Sequence, residues 1–284
     1  MSLFDKEIPP EYLRILQQFR FIDDTFFAAC LDGDIPCMEL ILKLVLQRSD
    51  IGVQSVVTQQ SAQNLYGRGV RFDALARDRA GKIYNCEVQR ADEGAIPRRA
   101  RYNNCLVDHR ELAKGAAFRE LPETYIIFIT EHDTIGAGLP LYHIERVIKE
   151  VQRDFGDGAH IIYVNGDCRD DTPLGRLMQD FFETDARRLH YKELAARMDF
   201  FKSDAKGVAA MCELMEKFGA EREAIGEARG EARGEARGEA NGKAAASRSI
   251  AQKLLARSME LADIAKITSL PLDEVKRLAS TMPT

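Results

Sequence analysis

The sequence contains no apolar run near the roughly 18 to 20 residues that a helix needs to cross a bilayer. Charged residues occupy 30% of its 284 positions, so we expect no transmembrane anchor. Its first residues, MSLFDKEIPPEY, lack a basic segment followed by an apolar one and therefore predict no secretion signal. The sequence thus predicts a cytoplasmic protein without a membrane partner.

Cysteine patterns typical of disulfide scaffolds and zinc sites are also missing. The chain has six cysteines but no CxxC pair and no short Cys/His pairing, so we expect free thiols. Nor does it contain a GxxxxGK[ST] phosphate loop or a GxSxG nucleophile elbow. These absences disfavour a nucleotide-driven motor and a serine hydrolase.

A large excess of positive charge is absent as well. The chain carries 40 Lys and Arg against 45 Asp and Glu, a formal net charge of −5, whereas a general nucleic-acid binder has a basic footprint. Residues 65–119 differ from the rest, because they hold 12 basic and 7 acidic side chains. Any nucleic-acid surface must therefore be local.

The first half of the chain shows alternating helix and strand patterns. Asp34 followed by Pro36 predicts the capped start of an amphipathic helix of about three turns that packs on a sheet. Three runs then have the period of strands, beginning near Val53, Val70 and Ile83. The short turn before Ile83 predicts that the second and third strands form a hairpin.

The pattern continues with a helix from Pro97 to about Lys114 and a dense β-branched and aromatic run at Thr124–Thr130. That run predicts a central strand covered on both faces. A shorter strand follows at Ile161–Val164, and 173–218 turns helical. The order predicts an α/β fold.

Composition changes abruptly at 227–242, which reads EARG EARG EARG EANG. On a helix each four-residue row drifts by about 40°, so no straight apolar seam forms. Each glycine also costs about 1 kcal/mol relative to alanine, and like charges meet at i+4. We expect an isolated helix here to be marginal, and hence a partly helical linker at 220–242 between a domain at 1–219 and a small helical tail at 243–284.

The tail has the spacing of a helix-turn-helix, with apolar runs around 261–267 and 272–279. Its last helix begins with Asp273 and Glu274, which would face a phosphate backbone. We therefore interpret the tail as a protein-contact or homo-oligomerisation element, with DNA binding as the less favoured alternative.

Chemistry is concentrated in the predicted hairpin. Asp73 in RFDALARD and Glu87 and Gln89 in NCEVQR lie on its two strands, and a hairpin of that length can bring the two carboxylates together. Mg²⁺ is usually held by one or two carboxylates plus substrate phosphates. Gln89 shares a strand face with Glu87 and could orient an attacking water. The alternative is that Asp73 and Glu87 are ordinary solvent-facing strand residues.

This pattern resembles the PD-(D/E)XK nuclease superfamily and, more narrowly, the bacterial recombination-promoting nuclease and transposase group called the Rpn family. The resemblance spans roughly 19–218 and includes PRRARYNN, LGRLMQDFF and YKELAARMDFFK. It implies a restriction-endonuclease-like core, a mixed central sheet flanked by helices, with a helical C-terminal extension. It further implies that Asp73 and Glu87 bind Mg²⁺ or Mn²⁺, with Glu39 on the first helix as an accessory acid.

One departure from the superfamily pattern matters chemically, because the usual lysine is here Gln89, as is common in the narrower group. Glutamine can hydrogen-bond but adds no positive charge near the attacked phosphorus. That charge must come from a metal or from elsewhere. Arg98 and Arg101, one helical turn apart, and Tyr102 beside them are candidates for phosphate contact, unless they form only a solvated helix face.

We therefore expect a metal-dependent DNA endonuclease in which Asp73, Glu87 and Gln89 are catalytic and Arg98, Arg101 and Tyr102 contact DNA. Two alternatives remain open. The first is a catalytically weak nuclease fold that acts as a DNA- or protein-binding assembly module, although a decayed site would be expected to lack one of the two acids. The second is a transposase that also transfers strands with the same metal-dependent chemistry.

Overall fold

The computed structural model describes residues 9–62 and 69–280, with the side chains at 92–93, 218, 220–233, 235–236 and 239–240 outside the description. Its strands are β1 Val53–Ala62, β2 Val70–Asp78, β3 Ile83–Gln89, β4 Thr124–Thr130, β5 Leu141–Ile144, β6 Val147–Ile148, β7 Arg153–Asp154 and β8 Ala159–Asn165. Its α-helices are α1 Pro10–Gln18, α2 Asp24–Leu31, α3 Ile35–Val45, α4 Pro97–Glu111, α5 Pro173–Phe182, α6 Lys192–Ser203, α7 Ala205–Leu255, α8 Leu261–Thr268 and α9 Leu272–Ser280.

Six strands form one mixed sheet in the order β1-β2-β3-β4-β8-β5. Strands β3, β4 and β8 run parallel, while β1, β2 and β5 pair antiparallel with their neighbours. The predicted hairpin is confirmed, since β2 and β3 pair antiparallel across the turn at Asp78–Gly81. The fold is therefore α/β with a mixed central sheet.

Helices cover both faces of this sheet. Alternate residues of β2, β3 and β4 pack on one face against α2, α3, α5 and α6, while the other set packs on the opposite face with α4. All seven residues of β4 are buried, which confirms the prediction of a strand covered on both sides. The predicted cap of α3 is also confirmed, because the Asp34 carboxylate accepts a hydrogen bond of 2.9 Å from the Cys37 amide.

The chain divides into two compact units, 1–216 and 217–284. In the second unit Ala251, Ile264 and Val275 form the centre of a small apolar cluster built from the end of α7 together with α8 and α9. The helices predicted in the tail around 261–267 and 272–279 are confirmed as α8 and α9. The six cysteines are free thiols, also as predicted.

The glycine-containing repeat differs from the expectation of a marginal, partly helical linker. The backbone of α7 is helical without interruption from Ala205 to Leu255 and includes the whole repeat. A Cβ added at Gly234, Gly238 or Gly242 would meet no atom within 4 Å, so no close contact requires glycine at these three positions. The glycines lower intrinsic helix propensity without blocking helical geometry.

Ending the chain after Gly219 should leave the sheet unit folded. Among the side chains that the structure describes, the two apolar clusters of that unit have no member beyond Met215, so the truncation removes none of these members. We expect the truncated protein to unfold cooperatively at nearly the same temperature as the full chain in circular dichroism melts. Aggregation, or a markedly lower melting temperature, would show that residues after Gly219 stabilise the sheet unit.

Candidate active site

Asp73 of β2 and Glu87 of β3 face each other across the hairpin. The register pairs Ala74 with Cys86, which places the two acids at the next opposed positions. The Asp73 amide donates to Glu87 Oε1 at 3.4 Å, and the Val88 amide donates to Asp73 Oδ2 at 3.0 Å. The sequence-based prediction that the hairpin brings the two carboxylates together agrees with this geometry.

Both acids are buried, since Asp73 is 8% exposed and Glu87 is 0% exposed. The alternative that they are ordinary solvent-facing strand residues is therefore wrong. Buried carboxylates are expensive unless they gain hydrogen bonds or a cation. The burial of these two carboxylates therefore has to be compensated by neighbouring groups.

Two side chains donate hydrogen bonds to Glu87. Asn85, two residues earlier on β3, donates from Nδ2 to Glu87 Oε1 at 2.9 Å. Arg99, in the first turn of α4, donates from Nη2 to Glu87 Oε2 at 2.7 Å. The same guanidinium donates from Nη1 to Gln89 Oε1 at 2.9 Å and to the Gly94 carbonyl at 2.8 Å. Glu87 and Gln89 thus share one arginine.

Gly94 permits this arrangement. A Cβ at this position would lie 2.0 Å from Gln89 Oε1, far inside van der Waals contact. Glycine therefore lets the short 3₁₀ turn at Asp92–Ala95 approach the glutamine closely.

The electrostatics leave the pair short of positive charge. Burial, followed by the charge of Glu87, raises the pKa of Asp73 well above its ordinary value, while the bond from the Val88 amide opposes the shift. Burial also raises the pKa of Glu87, against the opposing charge of Arg99. The carboxylate of Asp24, at the start of α2, adds to the upward shift in the pKa of Asp73. A further cation would therefore stabilise the ionised pair.

This donor set fits a hard divalent cation. Mg²⁺ and Mn²⁺ prefer oxygen ligands, and Mg²⁺ commonly uses one or two protein carboxylates together with phosphate oxygens. Asp73 and Glu87 would hold such an ion. Among residues 9–62 and 69–280 there is no cluster of three or more His, Cys, Asp or Glu side chains arranged as a metal site. The two carboxylates would therefore need oxygens from substrate or water to complete the coordination.

The structure does not bring Glu39 to this pair, which corrects the expectation of an accessory ligand on the first helix. Glu39 accepts from Lys43 Nζ at 2.6 Å and from the Val53 amide at 3.0 Å. Val53 pairs with Asp78, five residues along β2 from Asp73 and so roughly 16 Å away at the rise of a strand. Glu39 therefore caps the start of β1, and Asp24 is the acid whose charge reaches Asp73.

Two of the three residues predicted to contact DNA lie on the outer side of α4. Arg98 and Arg101 are exposed, and Tyr102 is half-buried against the apolar cluster under the helix. The residue that sequence reasoning missed is Arg99. The sequence gives no clear signal for it, because the residues that share its helix face at steps of four are Asn103 and Val107, and the polar Asn103 does not mark an inward face until its burial is seen.

Comparison of the chain with protein-family models, curated proteins and solved structures found no match. Within the part of the chain that the structure describes, no helix is long and apolar enough to span a membrane.

Replacing Asp73 by Asn should stabilise the protein at neutral pH when no divalent cation is present. A carboxyl whose pKa is raised on folding binds its proton more tightly in the native state, so stability falls as pH rises above the unfolded value near 3.9. The gain from Asp73→Asn should therefore be greatest at pH 7–8 and vanish near pH 4. We expect about 2–4 °C in melting temperature for each kcal/mol of relief.

The control is Asp171→Asn, because the Asp171 side chain is 94% exposed. It should leave the pH dependence of melting unchanged. A lower melting temperature for Asp73→Asn throughout pH 4–8 would mean that the ionised pair is already fully compensated.

Proposed function

We propose that the protein is a Mg²⁺- or Mn²⁺-dependent DNA endonuclease with a restriction-endonuclease-like core of the PD-(D/E)XK type, similar to the Rpn family and acting in recombination or mobile-element movement. The observation that supports this most directly is the buried pair of Asp73 and Glu87 on adjacent antiparallel strands. Two desolvated acids with raised pKa values are costly for a purely structural role and suited to a cation.

Each side chain has a definite task in this proposal. Asp73 and Glu87 would hold the ion, which when bound would offset negative charge on the attacked phosphate and acidify water. Asn85 fixes the orientation of Glu87 through the bond to Oε1, and Asn103 fixes Asn85 in turn through a bond of 3.2 Å. Gln89 lies at the end of β3 on the same face as Glu87, where it could orient the water that attacks phosphorus.

The decisive experiment is incubation of the purified protein with supercoiled plasmid and Mg²⁺ or Mn²⁺. Asp73→Asn and Glu87→Gln should each lower the nicking rate on the order of 10²-fold or more, since each removes a charge that acts at the transition state. Asp171→Asn, the same chemical change at an exposed site, should cut at the parental rate. Equal nicking by Asp73→Asn and the parent would refute the site assignment.

This assay also separates the alternatives. A parent protein that binds DNA but fails to nick it with either ion would favour the assembly-module alternative. Joined products between plasmid and a labelled oligonucleotide would indicate strand transfer in addition to hydrolysis, because the two reactions differ in the attacking nucleophile.

The exposed side of α4 is proposed to contact the DNA backbone through Arg98 and Arg101, with Tyr102 alongside. Replacing both arginines by Gln should lower the slope of log affinity against log salt by about one unit for each phosphate that is no longer neutralised. The matched control is Arg14→Gln with Arg119→Gln, two exposed arginines on other elements. If the slope of the Arg98/Arg101 variant equals that of the control, this helix face does not bind the backbone.

The C-terminal unit is proposed to mediate homo-oligomerisation. Its described residues include exposed apolar side chains that a second copy could cover: Ile250, Met259, Ile267 and Leu272. Light scattering of the full chain beside the chain that ends at Gly219 tests this, and an equal oligomeric state in the two would contradict it.

A further inference from the structure

The guanidinium of Arg99 occupies a special position beside the carboxylate pair. It is the cation that contacts Glu87 within the described part of the chain. It also binds Gln89 and the Gly94 carbonyl. Two of its three contacts therefore do not depend on the carboxylate, and they hold the guanidinium in place whatever the state of Glu87.

The two members of the ion pair between Arg99 and Glu87 differ in burial. Glu87 is 0% exposed, whereas the Arg99 side chain is 31% exposed and can be reached from the surface. Its Cζ lies 5.8 Å from the centre of the Phe128 ring, which supports the guanidinium from below. Three contacts use three of the five N–H groups of a guanidinium, which leaves two for a phosphate oxygen.

The neutral side chain of Gln89 is a hydrogen-bond partner of Arg99. Its carbonyl oxygen accepts from Arg99 at 2.9 Å, so the glutamine serves as a fixed acceptor that orients the arginine. Attack on a phosphodiester builds negative charge on the phosphate oxygens, and a fixed cation beside them lowers the barrier. Gln89 cannot supply that charge, while Arg99, bound to it, can.

We propose that Arg99 is a catalytic residue that contacts the attacked phosphate and supplies its positive charge, and that Gln89 is the positioning residue for Arg99. This inference rests on the proposed nuclease function. It assigns Gln89 a role different from orienting water, and it separates Arg99 from its exposed neighbours Arg98 and Arg101, which act in affinity.

The test compares Arg99→Gln with the matched control Arg14→Gln, the same change at an exposed arginine on α1. Single-turnover nicking of plasmid at saturating protein reports chemistry apart from affinity. Arg99→Gln should slow this step on the order of 10²-fold, as expected when one electrostatic group is removed from the transition state. Arg14→Gln should stay within about twofold, since this exposed side chain lies on α1, outside the proposed site.

A charge-swap variant distinguishes catalysis from structural support. Gln89→Lys combined with Arg99→Gln places an ammonium beside the position that the guanidinium held, because the two side chains are in direct contact. We expect the single-turnover rate of this variant to exceed that of Arg99→Gln by at least about tenfold. If Arg99→Gln alone does not unfold cooperatively, the double variant is compared with the parent instead, because it retains one cation beside Glu87.

A second readout does not depend on cleavage. The rise in melting temperature on adding Mg²⁺ reports ion binding by the pair, and it should persist in Arg99→Gln. Disappearance of that rise together with failure of the swap variant to recover would make Arg99 only a support for Glu87 and overturn the proposal. An Arg99→Gln variant that nicks at the parental rate would also overturn the proposal, while the nuclease function would stand. A parent that nicks with neither Mg²⁺ nor Mn²⁺ overturns both.

Discussion

The arrangement of this site depends on the burial of two carboxylates between neighbouring strands. Removing Asp73 and Glu87 from water costs several kcal/mol per ionised group unless partners compensate it. The compensation is local: a backbone amide for Asp73, and an amide side chain and a guanidinium for Glu87. These partners come from β3 itself and from the next helix, so the site requires that the hairpin and α4 be assembled together.

The geometry of the sheet explains why so few residues are needed to compensate the two carboxylates. Side chains alternate along β3, so Asn85, Glu87 and Gln89 point to the face that α4 covers, while Cys86 and Val88 join the apolar cluster on the other face. A one-residue shift in the register of β3 would bury the polar set among α2, α3 and α5. The same alternation that builds the core therefore also gathers the functional groups.

Much of this could be predicted from the sequence, because strand and turn patterns are local. The bounds of β4 and the pairing of β2 with β3 follow from runs that are visible in the residues alone. Which of Arg98, Arg99 and Arg101 contacts Glu87 could not be predicted in this way, because the contact depends on how α4 is rotated against the sheet. Glu39 was misplaced for a similar reason, since its position depends on where α3 crosses β1. The sequence pattern indicates the type of each element, but it does not indicate how elements distant in the chain are oriented against one another.

The start of α4 adds a final electrostatic constraint. Its first turns carry Arg98, Arg99 and Arg101 and no acidic residue, although cations are disfavoured at the positive end of a helix dipole. Glu87 and Gln89 relieve this for Arg99, but Arg98 and Arg101 remain exposed. An approaching phosphate would be attracted by the helix end and by the arginines together. In the proposed function, the positive charge that is unfavourable at this helix end in the free protein is the charge that a nucleic-acid backbone would neutralise.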